Sequence, residues 1–373
     1  MTADHPLLFA LHAGPPTTRT LALRIRDEGP AAALDRAERR ADAAQYVEVT
    51  CRSALNRVEG MPFEWTLNPY RGCTHGCHYC FARRYQTQFE LGSGDHFSSI
   101  IFVKTNLPEV LAHELDKPSW KRDLVAVGTA TDPYQPIEGR YKLTRRALAA
   151  LLASRTPIGL VTKGPMVVRD ADLLGDLGRS AGCTVCVSVP TVDEEAWAAL
   201  EPGTAHPLQR LRAVRALRDA GVNAGVLMAP VVPGFTTQRV RLEATVKAIA
   251  DHGAAFMGAN LMHLKGGTKD HFMEFLRREY PQMVEGYTRL YPSAYVPSAY
   301  SAAVRSTIDA LQRRYEVNRR ASRVPAEPGG PPPDAAEAEQ QAFEWKLTPS
   351  RPAPDAGVSA KPRFRSGPRA LPR

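Results

Sequence analysis

The chain is poor in cysteine and has no long apolar run. Six cysteines in 373 residues, unevenly placed, are too few for the bridged scaffold of a secreted protein of this length. No window approaches the ~20 apolar residues of a bilayer span, so no membrane partner is expected. The run from Pro6 to His12 is short and no basic segment precedes it, so it does not read as a signal peptide. The expected location is cytoplasmic. Neither charge sign dominates. Lys plus Arg number 48 and Asp plus Glu 39, a net of +9, which suits a polyanionic partner without demanding one. Hydrophobic residues at 43% and charged residues at 23% exclude collagenous, mucin-like and wholly disordered classes.

Composition divides the chain in three. Residues 321–373 hold 11 of the 31 prolines and too few branched aliphatics to offset ordering entropy. This stretch reads as a disordered C-terminal tail. Its end, Arg351 to Arg373, carries six basic residues against one acidic and reads as solvated, with a nucleic-acid tether as the minority reading. Residues 1–60 balance eight basic and eight acidic residues and read as an N-terminal extension, helix-favouring over Ala31–Ala44. Residues 61–320 form the expected domain.

Within that domain short apolar runs alternate with amphipathic stretches. Strands are predicted over Phe63–Leu67, Ile100–Lys104, Leu124–Thr129, Ile158–Thr162, Thr184–Val189, Ala224–Met228 and Phe256–Met262. Helices are predicted over Pro108–Leu115, Thr144–Ala153, Val168–Arg179, Pro207–Ala220, Thr236–His252 and Asp270–Tyr280. Thr144 is the expected cap of one helix, and Gly221 the expected glycine just past another. Repeated strand–helix units predict an α/β fold with parallel strands and crossover helices. Their number points to a partial or near-complete parallel (β/α) barrel, with an open doubly wound sheet as the alternative. In a barrel, function sits at the C-terminal strand ends.

The chemistry concentrates in Asn68-Pro-Tyr-Arg-Gly-Cys73-Thr-His-Gly-Cys77-His-Tyr-Cys80-Phe-Ala-Arg83. Three thiols in a C-x3-C-x2-C pattern can converge on one inorganic centre, and Gly72 and Gly76 permit the backbone angles of such a wrap. Thiolates are the usual ligands of iron–sulfur clusters. Three ligands leave one iron of a four-iron cube open to a small molecule, whereas structural zinc wants four. A zinc reading would recruit His75, His78 or the pair Cys183 and Cys186. That pair lies three apart on a predicted strand, on opposite faces, and reads as two small buried residues. Arg83 and Arg84 read as a solvated basic face.

The cysteine pattern, its flanks, Thr131-Asp-Pro-Tyr-Gln-Pro-Ile-Glu138 and Pro230-Val-Val-Pro-Gly234 together resemble the radical S-adenosylmethionine superfamily. Within it they are similar to the spore photoproduct lyase branch. The resemblance covers about residues 61–316. It implies a radical S-adenosylmethionine-type barrel in which Cys73, Cys77 and Cys80 hold a 4Fe-4S cluster. It further implies S-adenosyl-L-methionine on the open iron, reductive cleavage of its sulfonium, and abstraction of hydrogen from a substrate. Tyr79 would lie along the adenine. Thr129, Thr131 and Asp132 would receive the methionyl ammonium, Lys163 the carboxylate, and Ser188 the carboxylate or the ribose. Pro233 would wall the adenine, and Tyr134, Gln135 and Glu138 could face substrate, Glu138 alternatively pairing with Arg140, Lys142 or Arg145. An electron donor such as flavodoxin or ferredoxin is implied. No residue is assigned the catalytic step itself, and His263 and His271 receive no role. The branch uses a cysteine near the ammonium-binding segment to return a hydrogen. Val125 to Asp132 contains none, so another donor such as a tyrosine, or another reaction, is expected. Two further readings are a nucleic-acid repair or modification enzyme, and a non-catalytic cluster- or zinc-bearing nucleic-acid-binding module.

Overall fold

The computed structural model describes residues 38–89, 94 and 96–317. Residues 38–43 are helical, followed by β1 (Gln45–Val49), β2 (Leu55–Arg57), β3 (Trp65–Leu67), β4 (Tyr70–Arg71), α1 (His96–Ser99) and β5 (Ile100–Lys104). Next come α2 (Leu107–Leu115), β6 (Val125–Val127), α3 (Glu138–Tyr141), α4 (Leu143–Ala153), β7 (Ile158–Thr162), α5 (Ala171–Ser180) and β8 (Cys183–Ser188). The order ends with α6 (Glu194–Leu200), α7 (Pro207–Asp219), β9 (Ala224–Val231), α8 (Arg239–Asp251), β10 (Met257–Leu261), α9 (Gly267–Glu279), α10 (Val284–Leu290) and α11 (Ser298–Arg314).

The main sheet runs β10-β9-β8-β7-β6-β3-β2. Six strands, from β3 to β10, pair in parallel, and β2 adds antiparallel to β3. The parallel order never reverses. A doubly wound sheet turns back at a switch point; this one winds in a single direction. Crossovers of one hand then place their helices on one face, which is barrel-type winding. Since β2 and β10 stay at opposite ends of the order, the barrel is partial. Its strands read as apolar runs because both faces are covered: Leu67, Val125, Leu160, Val185 and Val226 are all inaccessible to solvent.

Local sequence sets the ends of the helices. In α7, Pro207 occupies the first turn. The His206 ring accepts from the Leu208 amide at 3.2 Å, and Gln209 accepts from the His206 amide at 3.1 Å. Past its end, Gly221 takes a φ of +79°, as a C′ glycine does. Thr144 does not cap α4, because Leu143 opens that helix behind Lys142. Its hydroxyl donates instead to Pro133 O at 2.6 Å. The predicted helix over Val168–Arg179 divides into a 3-10 segment, Pro165–Asp170, and α5.

Two expectations change. Ile100–Lys104 is a strand, but it belongs to a second sheet of order β1-β5-β4. The stretch called an extension supplies β1 and β2 to the two sheets, so the folded unit begins before residue 61. The predicted C-terminal tail, 321–373, and residues 31–37 of the predicted N-terminal helix lie outside the described residues. Among the described residues no helix is long and apolar enough to cross a membrane.

Candidate active site

The cysteine loop follows β4 and is held by its carbonyls. The Gly72 carbonyl accepts from Thr131 Oγ1 at 2.7 Å and Gln135 Nε2 at 3.3 Å. Those of Thr74 and His75 accept from Arg40 Nε at 3.4 Å and the Gly203 amide at 3.0 Å. Those of Gly76 and Cys77 accept from Arg83 at 2.8 and 3.0 Å. Gln135 also accepts from the Thr74 amide at 3.2 Å. With the backbone bonded outward, the side chains are left to define the interior. Two glycines are obligatory for space. A Cβ at Gly72, where φ is +80°, would lie 2.6 Å from Ile100 O, and one at Gly203 would lie 2.4 Å from Thr74 O.

Cys73 and Cys77 are buried and Cys80 is half-buried. Burial raises the Cys77 thiol, with Glu201, Cys80 and Cys73 adding to it and Lys163 opposing. Burial raises Cys80 as well, and Cys73 adds to it. The three thiols lie near enough to interact, and burial keeps Cys77 and Cys80 as neutral thiols unless a cation binds them as thiolates. Among the described residues no three His, Cys, Asp or Glu side chains converge tightly enough for a single metal ion. Three thiols on one short loop are the donor chemistry that iron–sulfur clusters use.

Beside the loop, the C-terminal strand ends carry a buried charge network. Lys163, after β7, donates to Ser188 Oγ at 2.8 Å and lies 3.8 Å from Glu201 Oε1. It also sits 5.6 Å from the Tyr79 ring centre. Arg210 Nη2 meets Glu201 Oε2 at 2.5 Å, and its Nη1 donates to Ser188 O at 2.9 Å. Tyr79 donates its hydroxyl to Glu201, and burial followed by the Glu201 charge pushes that phenol well above 10. Two cations thus face one carboxylate. Their surplus of one positive charge suits a ligand carboxylate.

The structure brings Lys163, Ser188 and Tyr79 together; other expected positions fare differently. Asp132 is buried and its four acceptor positions are taken. Oδ1 accepts from Thr162 Oγ1 at 2.6 Å and the Tyr134 amide at 2.9 Å, Oδ2 from the Lys163 amide at 2.6 Å and His75 Nδ1 at 3.3 Å. A carboxylate offers about four such positions, so Asp132 ties β7 to the cysteine loop and has none left for an ammonium. Burial raises its pKa, but His75, Thr162 and the Lys163 amide bring it down to about 2. Thr131 is spent on Gly72. Thr129 accepts from Asn68 Nδ2 at 3.4 Å, is half-buried, and is the member of that trio left at the rim. Pro233 is buried, and its carbonyl accepts from Tyr287 at 2.5 Å.

The three residues expected to face substrate are buried and bonded within the protein. Gln135 is wholly buried against the loop. Tyr134 donates to Asp170 Oδ2 at 3.0 Å. Glu138, with no exposed surface, accepts from Tyr70 at 2.5 Å, the Thr144 amide at 3.0 Å and Arg169 Nη2 at 2.7 Å. It therefore caps α4 and pairs with Arg169, and the side chain of Arg145 goes to Asp170 and Asp172. Arg83 is no solvated cation: it is 2% exposed, clamped on the loop and stacked 5.0 Å from Phe97.

Sequence reasoning missed Glu201, Arg210, Arg40 and Gly203. The Glu201-Pro-Gly203 turn and an arginine inside the apolar run of α7 were the available signals. It also gave His271 no role. His271 Nε2 lies 3.1 Å from His78 Nδ1, and His78 stacks 4.1 Å from Phe275, which pins α9 to the loop. Burial, then His271, lowers His78 to about 3, so His78 is neutral.

Residues 67–244 match the family model described as the Radical SAM superfamily. An uncharacterised protein of Mycobacterium tuberculosis is 39% identical over 280 residues, 74% of this chain and 82% of its own. The Radical SAM Nalpha-GlyT isomerase of Pseudomonas phage M6 is 28% identical over 172 residues, 45% of this chain and 33% of its own. Among solved structures, spore photoproduct lyase complexed with dinucleoside spore photoproduct superposes with a TM-score of 0.58 at 15% identity, covering 74% of this chain and 81% of that one.

Proposed function

Since the chain belongs to the radical S-adenosylmethionine superfamily, we propose that it is an enzyme carrying a 4Fe-4S cluster on Cys73, Cys77 and Cys80, with S-adenosylmethionine as oxidant or co-substrate. A cluster held by Cys73, Cys77 and Cys80 would supply one-electron reduction of the S-adenosylmethionine sulfonium, the chemistry that starts hydrogen abstraction from a substrate. The chain's residues bind and orient. Lys163 and Ser188 receive the methionyl carboxylate, and the surplus cation of the Lys163–Glu201–Arg210 network is neutralised as they do. Thr129 accepts from the methionyl ammonium in place of the fully engaged Asp132. Tyr79, pinned by Glu201, lies along the adenine, and the loop through Pro233 walls it. Outward bonding of the cysteine-loop carbonyls keeps the loop rigid while the cluster changes charge. A flavodoxin or ferredoxin supplies the electron in the cell.

The observation that carries this reading is a buried cation surplus at the ends of β7 and β8, beside three thiols, two buried and one half-buried. Anaerobic reconstitution followed by dithionite and S-adenosylmethionine tests it. Release of 5′-deoxyadenosine is expected. A preparation holding four irons per chain that releases none is a cluster-bearing binding module, and the enzymatic reading fails.

A further inference from the structure

Among the described residues four large hydrophobic side chains are exposed: Met61, Phe81, Val240 and Tyr295. Two of them flank the same histidine. The Phe81 ring centre lies 6.3 Å from His263 at 32°, and His263 lies 5.9 Å from Tyr295 at 28°. The three rings form a row in which His263 is tilted 32° from Phe81 and 28° from Tyr295. Phe81 is 38% exposed and Tyr295 49%. Tyr85 extends the row from Phe81, edge-on at 6.3 Å.

The place of this ledge matters as much as its composition. Phe81 directly follows Cys80, and Thr268 Oγ1 donates to Cys80 O at 3.3 Å, fastening the start of α9 to the same turn. His263 follows β10, at the strand-end rim that also bears Lys163 and Ser188. The ledge therefore borders the cysteine loop on the functional side of the sheet. The charges beside it are cationic. Arg84 and Lys265 are the two groups that, after burial, hold His263 below its usual range, and the chain as a whole carries +9.

We propose that Phe81, His263 and Tyr295, with Arg84 and Lys265, form a stacking ledge for one base of a single-stranded nucleic acid, presenting that strand to the cluster. Exposed aromatic faces interleaved with cations are what a strand of stacked bases and phosphates requires. The ring faces accept any base, and the cations neutralise flanking phosphates. His263 is an uncharged ring at neutral pH, so it stacks without the solvation of an imidazolium. A duplex keeps its bases stacked on each other and cannot offer one to the ledge without extruding it. The proposal deepens the reading above by naming the substrate class, and it rests on that reading only for the chemistry that follows binding.

The test is fluorescence anisotropy of a labelled oligothymidylate of about 12 nucleotides with the anaerobically reconstituted full chain and no reductant. Tyr295→Ala and Phe81→Ala are each expected to weaken binding by about 10-fold, the scale of one lost base–aromatic stack. Tyr295→Phe is expected to retain binding. Lys265→Ala is expected to reduce the slope of log affinity against log salt by about one. Iron content and thermal melting, measured on each variant, separate loss of the ledge from damage to the adjoining loop. Affinity unchanged within about twofold in both alanine variants, equal affinity for duplex, or absence of binding each overturns the proposal. Because no electron is supplied, failure to cleave S-adenosylmethionine leaves this binding result standing, and the reverse holds.

Discussion

Glu201 offers the sharpest perturbation. Its side chain is 2% exposed and it faces both Lys163, at 3.8 Å, and Arg210, which is wholly buried. At such a distance and an effective dielectric of ~20, the gross attraction of one pair is about 4 kcal/mol, much of it offset by desolvation. Removing the anion does not restore that desolvation. Glu201→Ala leaves two buried cations without a counter-charge and the Tyr79 hydroxyl without its acceptor. The expected loss is about 3–5 kcal/mol, or roughly 5–9 °C in the melting temperature of a folded unit of this size. Glu201→Gln keeps the shape and one acceptor and should lose roughly half as much. The pH signature is directional. Burial raises the Glu201 pKa, but Arg210 and Lys163 outweigh it and lower the value below 4.5. Its stabilisation is therefore complete above pH 4.5 and is withdrawn as pH falls below that toward the depressed folded value. The glutamine variant should lack that acid limb. Urea melts followed by circular dichroism between neutral and acid pH measure both effects. A Glu201→Ala loss under about 1 kcal/mol, or an unchanged acid limb in Glu201→Gln, would falsify the assignment of this network as a mutually dependent buried cluster.

Three other outcomes follow from the same geometry. Cys77→Ala should lose the reconstituted cluster, read as iron per chain, with the fold retained; Cys183→Ala and Cys186→Ala should keep their iron and lose about 1–3 kcal/mol of stability as small buried groups. Glu138→Ala should destabilise by about 3–5 kcal/mol because Arg169, Tyr70 and the start of α4 lose a shared acceptor; intact stability with lost turnover would restore Glu138 to the substrate. Arg40→Ala should release iron faster under chelator than Arg40→Lys, since the guanidinium holds Thr74 O at 3.4 Å and Ser98 Oγ at 3.2 Å; equal release rates would remove Arg40 from the support of the loop.

Periodicity and turn chemistry made the framework legible. The runs at Ile158–Thr162 and Ala224–Met228 read directly as strands, because a strand covered on both faces is continuously apolar. A Cβ at Gly178, on α5, would lie 3.9 Å from that of Cys183, which places Cys183 toward the helices. What hydrophobicity cannot report is the partner. Ile100–Lys104 is as apolar as any barrel strand, yet it pairs with β1 and β4, and β1 was hidden because its alternating, half-buried pattern lies in a stretch of balanced charge.

The polar residues were harder for a related reason. Asp132, Tyr134, Gln135 and Glu138 follow a strand end where ligand-binding groups are expected, and spacing alone cannot tell a group aimed at a ligand from one that holds the ligand's cradle. The difference lies in partners far along the chain: His75 and Thr162 for Asp132, Tyr70 and Arg169 for Glu138, Thr74 for Gln135. Each of these four uses its polar atoms inside the protein, and a satisfied buried polar group gains nothing by turning to a ligand. Lys163 stands apart. It faces Glu201 at 3.8 Å, beyond direct hydrogen bonding, and leans on a neutral serine in a network that retains a cation. A buried cation short of counter-charge is stabilised by an incoming anion, which is why we propose Lys163 and Ser188 for a cofactor carboxylate, with the motif beside them as the wall they stand on.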